Sequence, residues 1–327
     1  MMKTKMKIFL SDLHIAPFKA EKFLTQKRNI IEMVIQFFAV FLQNKEKKLF
    51  EKMKKTIREE GISLGISNGD LMEASATERG LATERDLAMA KTVLSDLEND
   101  LGTKLKLNLG NHESGYILPL STDEQGGISR ASIRNFLCLA GRKELYYSFV
   151  AEGLKFIFVP YLFTEKEAKD FNIGRMKKSF MKKMRQDIKN SVEPVIIFIH
   201  DPDSLMDKNL LDVIRSNREK IKEILYGHYH SSVNLFFAKL MIKIFNTWWL
   251  IFPRIILDII FWFFSGRSMR IVRELGKYFR SRKNIPKIIE ELGAILIPAP
   301  TGMFGIGGGF LILEVFDDGN IKIEKYK

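Results

Sequence analysis

His228 and His230 stand one residue apart in Tyr226–Gly227–His228–Tyr229–His230, where the apolar run Ile221–Leu225 ends. On a strand alternate residues share a face, so both imidazoles point one way and can reach into one cavity where the chain leaves a sheet. The chain has 5 histidines, and the other three also end apolar runs. Lys7–Leu10 leads into Ser11–Asp12–Leu13–His14, and Lys104–Leu109 into Gly110–Asn111–His112–Glu113. Pro194–Ile199 leads into His200–Asp201–Pro202, and Ile62–Ile66 runs toward Asn68–Gly69–Asp70, where Gly69 permits a close approach of backbone. Imidazole and carboxylate suit Mn, Fe, Zn or Ni, and an aspartate with two oxygens can bridge two ions. A pair of ions about 3.5–4 Å apart activates a water, orients a phosphoryl group and stabilises the charge on its oxygens. The residue types therefore predict a hydrolytic site built on two divalent metal ions. An isolated HxH or DxH is commonplace on a protein surface; the ordered set is what carries the reading.

To bring such distant residues together, strands must end side by side. Between the five apolar runs lie charged stretches with helical spacing, Ala20–Glu59, Leu81–Asp100 and Thr164–Asn190. This alternation predicts an α/β layered domain, in which ligands bind beyond the carboxyl ends of the strands. Two hairpins break the alternation. Leu145–Val150 and Leu154–Val159 flank Ala151–Glu152–Gly153, and Phe310–Phe316 and Ile321–Lys325 flank Asp317–Asp318–Gly319–Asn320.

The bulk properties narrow the partners. A chain of 327 residues, 46% apolar and 28% charged, has ample material for a core. Its net charge of +13 predicts a polyanionic partner or surface. Cys138 is the single cysteine, which excludes a disulfide framework and a thiolate metal cluster and fits a reducing compartment. The apolar run near the N-terminus is too short for a secretory signal, so the expected location is cytoplasmic.

Residues 233–289 read as a hydrophobic, mostly helical insert between catalytic-domain segments 1–232 and 290–327. Trp248–Phe264 is almost wholly apolar but is interrupted by Pro253, Arg254 and Asp258. A spanning helix needs roughly 20 apolar residues and tolerates mid-span charge badly. With Leu235–Phe245, the run instead predicts a helical pair lying in one leaflet, with Trp248, Trp249 and Trp262 at the interface. Lys239, Lys243 and the basic tail from Arg267 to Lys283 would meet anionic headgroups. A hydrophobic cap on the domain, or a dimer surface, is the plainer alternative. Ile30–Leu42 is also densely apolar and is expected to pack on the sheet.

The ordered set Asp12-x-His14, Gly69–Asp70, Gly110–Asn111–His112–Glu113, His200 and Gly227–His228-x-His230 resembles the calcineurin-like metallophosphoesterase superfamily. That resemblance implies a four-layer α/β/β/α sandwich holding two metal ions. It implies that Asp12, His14, Asp70 and His230 hold one ion, that Asp70 bridges, and that Asn111, His200 and His228 complete the second. His112 would stay free of metal, as general acid to the leaving group or as a clamp on a phosphoryl oxygen. Glu113 would orient the His112 ring.

The chain departs from the family in two places. The GDxxDRG element of the superfamily's protein phosphatases is absent, since Gly69–Asp70 continues Leu71–Met72–Glu73–Ala74–Ser75, which argues against phosphoprotein substrates. Some members cleave the pyrophosphate of a UDP-linked diacyl glucosamine at a membrane surface. This chain resembles them in its hydrophobic insert and basic face, but reads GNH where the bacterial enzymes read GNR. The expected function is hydrolysis of a phosphodiester, phosphomonoester or pyrophosphate, on a lipid-linked substrate at the inner face of a membrane. The alternatives are a nuclease or nucleotide phosphodiesterase of the same superfamily, with nucleic acid as the partner, and a metal-binding scaffold with vestigial catalysis.

Overall fold

The computed structural model describes residues 3–13, 51–71, 84–102, 104–114, 128–163, 170–229, 282–299 and 308–326. His14, His230, the Ile30–Leu42 patch and nearly all of the 233–289 insert lie outside these residues.

The described chain is a mixed α/β protein with two mixed five-stranded sheets. The first has the order β10-β9-β1-β2-β3, from β1 (Thr4–Ser11), β2 (Leu64–Ser67), β3 (Leu105–Leu107), β9 (Phe310–Phe316) and β10 (Ile321–Tyr326). The second has the order β4-β5-β6-β7-β8, from β4 (Tyr147–Ala151), β5 (Leu154–Val159), β6 (Val195–Ile199), β7 (Ile221–Tyr226) and β8 (Ile295–Leu296). In each sheet the strands that run toward the predicted ligands are parallel, β1/β2/β3 and β5/β6/β7, and a hairpin supplies the antiparallel edge.

Side-chain alternation assigns the faces. On β1, Ile8 and Leu10 join Phe156, Phe158, Ile196, Phe198 and Leu225 of the second sheet in one apolar core. Phe9 points the other way, toward helical residues 51–59 (α1), α2 (Glu84–Leu101) and α4 (Arg130–Leu139). On β6, Ile196 and Phe198 enter the shared core, while Val195, Ile197 and Ile199 meet α5 (Ile173–Asn190), α6 (Lys208–Ser216) and α7 (Ile285–Leu292). All of β6 is buried, as a central parallel strand covered on both faces must be. Phe158 and Phe198, register partners on β5 and β6, stack side by side on the shared-core face with centroids 5.1 Å apart.

Local rules end these elements where the sequence predicts. Glu152 and Gly153 have φ of 50° and 76°, the pair of positive angles that a tight two-residue hairpin turn requires. Gly293, at φ 62°, caps α7 in the left-handed conformation. The expected boundary at 289/290 falls within α7, whose Ile285, Ile289 and Leu292 are buried against the second sheet. Packing against the second sheet therefore resumes by Ile285, and β8 follows directly. Beside the β4–β5 hairpin, Asp187 of α5 accepts hydrogen bonds from Tyr146, Ser148 and Lys155.

Burial alone would raise the Asp187 carboxyl, but the hydrogen bonds from Lys155, Ser148 and Tyr146 outweigh it and hold the group below its usual range. A lowered carboxyl stabilises the fold above its unfolded pKa of about 3.9 and loses that contribution as pH falls through the folded value. Asp187→Asn is expected to cost about 1 kcal/mol at pH 7, allowing for solvent screening. The deficit should shrink below about pH 4. Melting curves of the two proteins across that range check it.

Candidate metal centre

The carboxyl ends of β1, β2, β3, β6 and β7 meet at one place, and polar side chains tie the two sheets together there. Asn68, just beyond β2, donates through Nδ2 to the carbonyl of Ile199 on β6 at 2.9 Å. Asn108, just beyond β3, donates to Asn68 Oδ1 and to the carbonyl of Val159 on β5, each at 3.0 Å. Asp12 Oδ2 accepts the His228 backbone N–H at 2.8 Å, joining β1 to β7. These bonds span 131, 51 and 216 residues of chain.

Within this frame, ligand atoms of Asp70, His200 and His228 all lie within 4.8 Å of one another. His200 is fully buried; its Nδ1–H donates to the Asn68 carbonyl at 2.7 Å, and its Nε2 lies 3.4 Å from Asp70 Oδ2. Asn111 Oδ1 lies 2.9 Å from His200 Nε2 and 3.0 Å from His228 Nδ1. The four residues that the resemblance assigns to one ion are thus brought together. Asp12, assigned to the other, is fully buried against the same group. His14 and His230, also assigned to it, are outside the described residues.

Backbone is bent to achieve this. Among the described residues, three that are not glycine have positive φ, and two of them are Asp70 at 48° and His228 at 68°. A residue held there costs on the order of 1–3 kcal/mol and persists only where its surroundings enforce it. Gly69, at φ 109°, packs so tightly that a Cβ would stand 2.2 Å from His200 Nδ1.

Asp70 and Glu113 also organise the one-turn helix α3 (Asn111–Ser114). The His112 backbone N–H donates to Asp70 Oδ1 at 3.0 Å, so a carboxylate from another loop caps this turn. Glu113 Oε2 accepts from Gly110 N and Asp70 N, both at 3.0 Å. These bonds give Glu113 a backbone role in addition to the expected one of orienting the His112 ring. Its side chain, at the third helical position, turns back to the backbone donors that a helix start leaves exposed. Glu113 thus braces the two ligand loops. His112 is only partly buried, with Nε2 3.9 Å from Asp70 Oδ2, on the accessible side of the group.

The electrostatics match a cation site. Burial and the neighbouring Asp70 push the Asp12 carboxyl well above its ordinary range. Burial alone would lower the His200 imidazole, but the charge of Asp70, its hydrogen bond and Asp12 raise it to about 10. Burial lowers His228. A buried carboxyl pushed up by its neighbour's charge, and an imidazole raised against its burial, mark a group rich in negative charge. A divalent cation balances that charge, so the donor set fits one. Sequence reading missed the roles of Asn68 and Asn108; the signal was an asparagine standing just beyond the last strand residue of β2 and of β3.

Fold and site together define an α/β protein with a buried His/Asp group suited to metal at the strand ends. No family model matches the chain, and none of the curated proteins matches it.

Proposed function

We propose that the chain is a dinuclear metal-dependent phosphoesterase of the calcineurin-like superfamily. The observation that carries this reading is the convergence of Asp12, Asp70, Asn111, His200 and His228 from five strand ends of two sheets. The three apolar cores, one shared by both sheets and one beneath the helices on either side, support the four-layer α/β/β/α arrangement. Asp70, Asn111, His200 and His228 would hold one ion, and Asp12 with Asp70, His14 and His230 the other. Ions bound there would make water acidic enough to attack at neutral pH and would neutralise phosphoryl oxygens. His112, on the accessible side, would give a proton to the leaving group or hold a phosphoryl oxygen. Glu113 and Asp70 hold the His112 backbone in place for either task.

The substrate proposed is a lipid-linked phosphodiester or pyrophosphate at the inner face of a membrane, met through residues 233–283. Among the described residues no helix is long and apolar enough to cross a membrane. Purified protein is expected to hydrolyse bis(p-nitrophenyl) phosphate only after Mn or Zn is added back to a chelated sample. Activity unaffected by complete metal removal would end the reading. Charge reversal of Arg267, Arg270 and Arg273 in the full chain is expected to weaken flotation with anionic liposomes, and unchanged flotation would remove the membrane part.

One observation favours a nuclease as the second reading. Lys177, Lys178, Lys182, Arg185 and Lys189 of α5 line a groove of about 850 Å³ that also touches Asp207 and Asn209. Such a groove can follow a phosphate backbone, and oligonucleotide binding that collapses between 50 and 200 mM salt would favour it.

A further inference from the structure

His228 faces the metal group through Nδ1, which leaves Nε2 as its outward nitrogen. That nitrogen lies 3.9 Å from Asp201 Oδ2. Asp201 follows His200 directly and is 2% exposed. Its other oxygen accepts the Asp203 N–H at 2.9 Å and so caps the 3₁₀ turn Pro202–Met206. Asp203, also buried, is ion-paired with Arg282. Arg282 lies just ahead of α7, which packs on this same turn, and its carbonyl accepts the Ile285 N–H at 3.0 Å.

A histidine that binds metal through one nitrogen needs its other nitrogen protonated and held, and a carboxylate is the common partner. We propose that Asp201 is the positioning residue for His228: its carboxylate, facing Nε2 at 3.9 Å, favours the proton on that nitrogen and leaves the Nδ1 lone pair for the metal, and the Arg282–Asp203 ion pair fixes the turn that carries it. This rests on the metal-site reading above.

The test compares two variants of the full chain, with Zn²⁺ affinity measured by competition against a chromophoric chelator. Asp201→Asn keeps a cap oxygen but can turn an amide N–H toward Nε2, which favours the wrong tautomer. It is expected to lower affinity 10- to 100-fold with an unchanged melting temperature. In the zinc-loaded protein, ring ¹⁵N shifts of His228 are expected to show Nε2 protonated in the parent and altered in the variant. Asp201→Ser, which caps but cannot reach the ring, should lose affinity similarly. Asp70→Asn is the control for the site itself. Zinc bound as tightly by Asp70→Asn as by the parent would sink the metal reading. Zinc lost in Asp70→Asn but held at parental affinity and tautomer in Asp201→Asn would overturn the role of Asp201 alone. Unfolding of both Asp201 variants would show a purely structural residue and overturn it as well.

Discussion

Asp70→Asn is expected to reduce metal-dependent kcat/KM by about 10³-fold, some 4 kcal/mol of transition-state stabilisation. Asp70 is fully buried, and one of its oxygens already caps α3 through the His112 N–H, 3.0 Å away. The other faces His200 Nε2 at 3.4 Å, within the group fitted for metal. Asparagine keeps an oxygen for the cap but loses the charge and the second anionic oxygen a bridging ligand needs. The fold should therefore survive while metal is lost. Metal content after dialysis, the melting temperature and turnover of bis(p-nitrophenyl) phosphate separate these outcomes. A variant that keeps its metal and its rate would show that Asp70 is not a ligand.

Gly69→Ala should be nearly as damaging by a different route. The new Cβ would stand 2.2 Å from His200 Nδ1 and 2.9 Å from the Gly110 backbone, at a φ of 109° that L residues rarely adopt. Relief requires His200 to swing away from the Asn68 carbonyl, which unseats the ring that supplies Nε2. Overpacking of this kind costs about 3 kcal/mol, and the added backbone cost is of similar order. The melting temperature should fall by roughly 6 °C or more, with zinc affinity falling alongside it. Gly153→Ala is the matched comparison, because its φ is 76° but nothing lies within 4 Å of the new Cβ. It should show only the backbone cost, about 1 kcal/mol. Equal losses in the two variants would mean that close packing against His200 is not what Gly69 provides.

Much of this molecule was legible before any coordinates. The runs that became β1, β3, β6 and β7 are short and apolar and stop at a polar residue, so their ends could be read directly. Both hairpins announced themselves through Glu152–Gly153 and Asp317–Asn320, since positive φ favours few residue types. The ligand candidates were legible because histidine is scarce in this chain and each one closes such a run. β8 was not, because two residues, Ile295–Leu296, carry no periodicity. The place of α7 was illegible for a related reason. α7 is amphipathic and short, and only its packing on β7 and the Pro202–Met206 turn assigns it to the domain.

By itself, the sequence determined which chemical groups the chain can offer, and at which strand ends, because composition and side-chain alternation are local properties. Tertiary structure alone decided which of them meet. Asn68 and Asn108 became the ties between sheets because the carbonyls of Ile199 and Val159 happen to face them. Glu113 became a brace for two loops, and Asp201 came to face His228. Each of these roles is a distance between residues far apart in the chain or on separate loops, and hydrogen bonds and ion pairs act over a few ångströms of space whatever the separation in sequence.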